Sequence, residues 1–161
     1  MNIFAFPILT AGLLTPNNFD AVVEETTALV ATAETEQQQV SETPCSVSAT
    51  ACVDLNQGLA WIQDSDGHVV YGPVPASGGA PGQETPRGKQ TVTRQVENEW
   101  SRPFNAPMPY ATYFGFDGVD DGIAFHADQV GVLSAGCIHL NYDDAASFFE
   151  HLHPGDVVEV L

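Results

Sequence analysis

The sequence predicts a mainly β domain, with two sheets packed as a sandwich or incomplete barrel and one short helix against an edge. Short β-prone runs alternate with turn-forming stretches such as DSDG at residues 64–67. Within the predicted domain, one run near the C-terminus has apolar residues at helical spacing. A chain of 161 residues with 43% hydrophobic content can bury a core in one such domain plus an appendage.

We expect residues 1–44 to form an acidic, partly helical leader outside that domain. Residues 3–15 are nearly apolar and too short to span a bilayer; their length suits a signal segment, but a basic start and a clear cleavage site are missing. Helical spacing of apolar residues follows Pro16, and residues 34–43 have the composition of a linker. The folded domain is therefore predicted to cover residues 45–161.

Within the domain, strands come first and the helix comes near the end. The predicted strands are the runs ACVDL, LAWIQD, HVVYGPVPA, KQTVTRQV, YATYFGF, GIAFHA, the segment around CIHL, and DVVEVL. Residues 77–88, rich in Gly and Pro, predict a surface loop close to a functional site. The helix is predicted over residues 143–152, capped by Asp143 or Asp144 and ended by the Pro-Gly pair at 154–155.

The charge balance excludes nucleic acid as a partner. Against 21 Asp and Glu there are four Lys and Arg, for a formal net charge of -17, which repels polyanions and anionic membranes. The four cations are Arg87, Lys89, Arg94 and Arg102, all in one short segment. This clustering is consistent either with a positive strip that binds a carboxylate-bearing substrate or with strand cations paired to acidic neighbours.

The three cysteines divide into a pair and a single thiol. Cys45 and Cys52 enclose a small polar loop without the further Cys or His of a zinc site, which favours a local disulfide. Such a bridge implies an oxidising, extracytoplasmic compartment, reached through an atypical signal segment. Cys137 is then the unpaired cysteine, and an odd thiol in an exported protein favours a reactive role.

Cys137 stands in the stretch SAGCIHLN, where a glycine gives the backbone the freedom to turn sharply. Alternation places Cys137 and His139 on one face of the following strand. A free thiol is only a few per cent thiolate at neutral pH, so an imidazolium close by must stabilise the anion in this acidic protein. His126, which directly follows the run GIAF, is the candidate partner. His139 is expected either to contact substrate or to contribute to the electrostatic field at the thiol.

A zinc site is the alternative for the same residues. Cys137, His126 and His139 are all metal-ligating types, but no fourth ligand or second cysteine stands at a typical spacing. We therefore favour thiol chemistry.

These residues resemble a known family. The run GIAFH, then SAGCIHL, the helix and a closing PGDVVEVL are similar to the L,D-transpeptidase (YkuD-type) catalytic domain of bacterial cell-wall enzymes. Upstream, Thr85, Pro86 and Gly88 match the family's TP-x-G turn, so the resemblance covers about residues 51–161. Two positions depart from it, since Ala135 stands where the family usually has His and His139 where it often has Arg.

The resemblance implies a role for each site residue. Cys137 is the acyl-forming nucleophile and His126 its base, oriented by the carbonyl of Ala127. Ser134 and Gly136 position the thiol, and the N–H groups of Gly136 and Cys137 hold the oxyanion. The remaining implied contacts with substrate come from His139 and from Tyr110, which lines the donor cleft.

The implied reaction is a two-step acyl transfer on peptidoglycan stem peptides that needs no metal or organic cofactor. Cys137 displaces the terminal D-alanine of a tetrapeptide stem, and an amine of a neighbouring stem resolves the thioester into a 3-3 cross-link. Three alternatives remain open: an L,D-carboxypeptidase if water resolves the thioester, a cysteine peptidase that cuts elsewhere in the stem, and a non-catalytic peptidoglycan-binding module. The sequence carries no signal for an oligomeric state.

Overall fold

The computed structural model describes residues 42–161, which form a mainly β domain with one α-helix. The predicted leader lies outside the described residues except for residues 42–44. The elements are β1 (Ala51–Asp54), β2 (Leu59–Gln63), β3 (Val69–Pro75), β4 (Gly88–Ser101), β5 (Ala106–Gly115), a 3-10 turn (Phe116–Gly118), β6 (Ile123–Ala127), β7 (Ile138–Leu140), α1 (Tyr142–His151) and β8 (Val157–Val160).

All eight strands belong to one mixed sheet, in the order β3-β2-β1-β8-β4-β5-β6-β7. The pairs β1/β8 and β6/β7 are parallel and the other pairs are antiparallel. The predicted mainly β fold with a single helix is confirmed, but one hydrogen-bonded sheet replaces the two expected. The reason is the C-terminal strand β8, which lies between β1 and β4 and joins the two halves of the sheet.

An aromatic stack fixes α1 against the strands that carry the predicted base. Phe148 of α1 packs on Phe125 of β6 with ring centroids 5.2 Å apart, and Phe125 packs on Phe114 of β5 at 4.8 Å. All three side chains are fully buried. Burial of each contributes about 1.5–3 kcal/mol, so the helix and β6 are held together firmly.

The helix begins earlier than predicted. Asn141 is the N-cap, directly after β7, and its side chain donates to Asp144 Oδ2 at 3.0 Å. Asp143 and Asp144 therefore lie in the first turn, where negative charge interacts favourably with the helix dipole. No helix in the described part of the chain is long and apolar enough to cross a membrane.

The hairpin of β4 and β5 is longer than the sequence predicted. It continues through residues 97–101 and 106–109, although the second segment contains two prolines. β5 pairs with β6 only from Thr112 to Phe114, so both prolines lie where β5 has a single hydrogen-bonded neighbour. Proline is tolerated at such an edge because its missing N–H leaves no bond unmade. The extension carries the hairpin tip to the mouth of the cavity described below.

Candidate active site

The corner that carries Cys137 is held by a serine hydroxyl. Ser134 Oγ donates to the carbonyl of Cys137 at 2.6 Å and accepts the N–H of Gly136 at 2.9 Å. Gly136 has φ of +120°, a conformation that side-chain-bearing residues rarely adopt, and a Cβ there would lie 2.6 Å from Ile123 Cδ1. The corner therefore requires glycine at 136 and a short hydroxyl side chain at 134.

Thr85 ties the corner to the loop between β3 and β4. Its side-chain oxygen donates to the carbonyl of Gly136 at 2.8 Å and accepts the N–H of Gly79 at 3.0 Å. The residue is 2% exposed, so both bonds are shielded from water. The glycine- and proline-rich loop lies against the corner, and the TP-x-G turn supplies the hydroxyl that fixes it.

His126 faces the same side of the sheet as Cys137. In the parallel ladder of β6 and β7, His126 is opposite His139, and Cys137 is two residues before His139 on that face. The ring is 4% exposed, and Nδ1 donates to the carbonyl of Ala127 at 3.2 Å, which leaves Nε2 to accept a proton. Ala127 thus contacts the imidazole in the way the resemblance implies.

The thiol and the imidazole lie in an environment that favours their neutral forms. Burial raises the pKa of Cys137, and a backbone hydrogen bond at Ala124 opposes this rise. Burial lowers the pKa of His126, while the carbonyl of Ala127 raises it and the nearby His139 ring lowers it further. Both shifts oppose the expected pair of a thiolate and an imidazolium, which stays a prediction. The physical reason is desolvation, which disfavours both charges at once.

The thiol hydrogen bond is also directed elsewhere in this structure. Sγ of Cys137 donates to the carbonyl of Gly122 at 3.8 Å rather than to His126. Both side chains line one cavity, so proton transfer requires the thiol to leave Gly122 and turn to the ring. Loose contacts of this kind commonly tighten when substrate binds.

His139 is buried beside His126, with ring centroids 4.9 Å apart. Its Nδ1 donates to the carbonyl of Val132 at 3.0 Å, and its Nε2 lies 3.6 Å from Oδ2 of Asp128. Sequence reasoning missed Asp128. The available signal was its position two residues after His126, which puts both on one face of an extended segment.

One cavity of about 680 Å³ joins these groups to two of the four cations. Arg94 stacks 3.4 Å over the Tyr113 ring and is paired with Asp120 at 2.6 Å and Glu99 at 3.1 Å. Arg102 lies at the hairpin tip and also lines the cavity. Arg94 therefore fits the interpretation of strand cations paired with acidic neighbours, whereas binding of a substrate carboxylate by the cluster stays a prediction.

Tyr110 is not placed in this cavity. Its ring packs on Tyr142 at 5.1 Å and Phe149 at 5.8 Å, on the helix side of the sheet. Tyr110 has φ of +58°, which interrupts the alternation of β5, so that Met108 and Ala111 share the face that regular alternation would give to Met108 and Tyr110. The tyrosine that lines the cavity is Tyr113.

The resemblance implies that the N–H groups of Gly136 and Cys137 hold the oxyanion. The N–H of Gly136 is donated to Ser134 Oγ, so this group is already used by the corner. An oxyanion contact from Gly136 therefore stays a prediction, and it requires Ser134 Oγ to release this N–H. Gly136 also contributes its backbone conformation and its carbonyl, which Thr85 holds.

Cys45 and Cys52 form a disulfide, with Cα atoms 5.7 Å apart. The bridge attaches the segment before β1 to β1 itself, and neither residue lines the cavity. Cys137 is the free cysteine of the described residues.

Comparison with known proteins points to one family. The family model of the L,D-transpeptidase catalytic domain matches residues 48–160. Among solved structures, an L,D-transpeptidase from Stackebrandtia nassauensis is 25% identical with a TM-score of 0.63, covering 80% of this chain and 62% of that one. An L,D-transpeptidase from Mycobacterium smegmatis is 23% identical with a TM-score of 0.59, covering 71% of this chain and 58% of that one.

A third similar structure was solved as a complex. L,D-transpeptidase 3 from Mycobacterium tuberculosis, in complex with a faropenem-derived adduct, is 20% identical with a TM-score of 0.59, covering 70% of this chain and 60% of that one. This chain therefore spans less than two thirds of the length of these three structures. No curated protein matches the sequence significantly.

Proposed function

The chain belongs to the L,D-transpeptidase catalytic domain family, and from that premise we propose that it is a cysteine acyltransferase acting on peptidoglycan stem peptides. One observation carries the proposal: Cys137 directly precedes β7, and its side chain lines the same cavity as that of His126 on β6. A nucleophile and a base so placed are what acyl transfer requires.

The first step starts from a neutral pair. As Sγ of Cys137 attacks the carbonyl carbon of the bond before the terminal D-alanine, the thiol proton moves to Nε2 of His126. His126 then protonates the leaving amine, so D-alanine departs and a thioester remains. Charge develops only as the bond forms, which avoids a permanently buried ion pair in an acidic protein.

The second step decides between transfer and hydrolysis. An amine of a neighbouring stem attacks the thioester, loses a proton to His126, and releases the thiol with formation of a 3-3 cross-link. Attack by water instead gives L,D-carboxypeptidase activity, and the two outcomes differ only in the acceptor.

Arg102 is proposed to bind the carboxylate of the donor stem. Within residues 42–161 it has no acidic partner, whereas Arg94 is engaged by two carboxylates. The position of Arg102 on the cavity wall supports this role, because the family's frequent arginine is replaced here by His139.

The site of action is proposed to be outside the cytoplasm. The disulfide between Cys45 and Cys52 supports this, since such bonds persist in oxidising compartments.

The test uses a disaccharide tetrapeptide as substrate and mass spectrometry of the products. The wild-type chain should release D-alanine and form dimers, Cys137→Ala should do neither, and Tyr110→Phe should behave as wild type because its ring lies on the helix side. Release of D-alanine without dimers would identify a carboxypeptidase. Cleavage at another bond would identify a peptidase.

A second measurement separates an enzyme from a binding module. A carbapenem, an inhibitor class that membership of this family implies, should acylate Cys137 stoichiometrically, which intact-mass analysis detects without any acceptor. Retention on peptidoglycan with no acylation and no product would contradict the proposal and favour the non-catalytic module.

A further inference from the structure

Three metal-ligating side chains meet at one end of the cavity. His126 and His139 are opposite each other on β6 and β7, and Asp128 follows at the end of β6. One ligand atom from each of the three lies within 4.8 Å of the other two. The sequence pattern indicated two histidines and a thiol as possible zinc ligands. The fold adds the carboxylate of Asp128 to them.

Both histidines are oriented as metal ligands are. The Nδ1 atoms of His126 and His139 contact the carbonyls of Ala127 and Val132, at 3.2 Å and 3.0 Å. Because a carbonyl can only accept, each Nδ1 carries a proton, and the lone pair of the neutral form of each ring is on Nε2. A backbone carbonyl on the other ring nitrogen is the usual support of a histidine that binds metal.

The carboxylate faces one of these lone pairs. Nε2 of His139 lies 3.6 Å from Oδ2 of Asp128, beyond hydrogen-bond length. Two electron-rich atoms so placed favour a cation between them. Two imidazole nitrogens and one carboxylate oxygen form a set that Zn²⁺ accepts, with a fourth position left open.

We propose that His126, Asp128 and His139 bind Zn²⁺, that the thiolate of Cys137 turns away from the Gly122 carbonyl to take the fourth position, and that an occupied site is catalytically silent. On binding, the thiol proton passes to solvent and a Zn–S bond forms. The metal occupies the Nε2 lone pair of His126, so the ring can no longer accept the proton of the nucleophile. The silencing rests on the proposed function, whereas the binding does not.

Zinc fits the site better than a harder cation. Nitrogen and sulfur ligands favour Zn²⁺ over Mg²⁺ or Ca²⁺, which prefer oxygen. The net charge of -17 also draws cations toward the protein.

Binding is measured by titrating Co²⁺, a coloured substitute for Zn²⁺, into the full chain after treatment with a chelator. The wild-type chain should bind one ion at this site with the visible spectrum of tetrahedral cobalt and a thiolate charge-transfer band. Cys137→Ser should lose that band. Asp128→Asn and His139→Gln should each weaken binding by at least about 10-fold. Loss of a residue that only hydrogen-bonds a metal ligand already has an effect of that order, and these two residues are proposed to bind the metal directly.

The matched control is His68→Gln. His68, Asp64 and Asp66 form a second group of metal-ligating side chains, which lies at the surface and is remote in sequence from the site. This variant should keep the wild-type affinity and spectrum. Unchanged binding in Asp128→Asn and His139→Gln, with thermal unfolding showing both folded, would overturn the site, as would loss of the spectrum in His68→Gln.

Silencing is measured separately, as carbapenem acylation of Cys137 with and without Zn²⁺. Acylation should stop at saturating Zn²⁺ and return with chelator. Acylation at an undiminished rate in the zinc-bound protein would overturn the silencing. Metal binding with no acylation in the metal-free protein would instead refute the proposed function and leave the site standing.

Discussion

Replacing Thr85 by valine tests whether the loop between β3 and β4 holds the catalytic corner. Valine keeps the shape of the side chain but removes the hydroxyl that bonds Gly136 and Gly79. At 2% exposure, water cannot replace it, so one buried carbonyl and one N–H lose their partner. Each unsatisfied group is worth about 1–3 kcal/mol, so the free energy of unfolding should fall by about 2–4 kcal/mol after partial relaxation.

The assay combines urea unfolding with the rate of carbapenem acylation. Because Thr85 contacts the carbonyl of Gly136, directly before the nucleophile, acylation should slow even where the variant remains folded. The matched control is Thr93→Val, which removes one half-buried bond to the carbonyl of Tyr113 and leaves the corner intact. If Thr85→Val matched the wild type in both stability and acylation rate, the corner would not depend on this hydroxyl.

Three further predictions concern the backbone, the bridge and the thiol. Gly136→Ala forces a side chain into φ of +120° and against Ile123, so thermal unfolding should show a loss on the order of 1–3 kcal/mol and acylation should be lost; a fully active, equally stable variant would contradict this. Replacing Cys45 and Cys52 together by alanine should lower stability by about 2.5 kcal/mol in urea, from the loop entropy alone, and should spare acylation. Because burial raises the pKa of Cys137, its alkylation by iodoacetamide, measured with chelator present, should keep rising with pH beyond about 8.5; a plateau already below pH 7 would show a preformed thiolate.

The corner could be predicted from the sequence because its chemistry is local. A glycine before a cysteine and an alternating strand after it predict a sharp turn and a shared face for Cys137 and His139. His126 is eleven residues before Cys137 in the sequence, so its approach to the thiol depends on strand pairing. It was predictable because GIAFH forms a strand, and this strand pairs in parallel with the strand after the corner. The single helix followed from apolar spacing in the same way.

Tyr110 and the length of the hairpin could not be predicted, for a different reason. Regular alternation along β5 assumes a regular backbone, and the positive φ at Tyr110 shifts every residue before it to the other face. The prolines at 107 and 109 argue against a strand unless one knows that their edge is unpaired. Both features depend on tertiary pairing, which local propensity does not contain.

The net charge of the sequence was a poor guide to the ionisation of Cys137 and His126. The net charge of -17 suggests that a thiolate needs a strong local cation, and His126 was expected to be that cation. In the structure, burial raises the pKa of Cys137 and lowers the pKa of His126, so it favours the neutral form of both groups. The charges on the protein surface act from farther away and are screened by salt. The negative charges of the protein destabilise a neutral thiol beside a neutral base very little, because neither group carries charge until the reaction creates it. Proton transfer during attack therefore suits this site better than a preformed thiolate, and the pH profile of Cys137 discriminates between the two mechanisms.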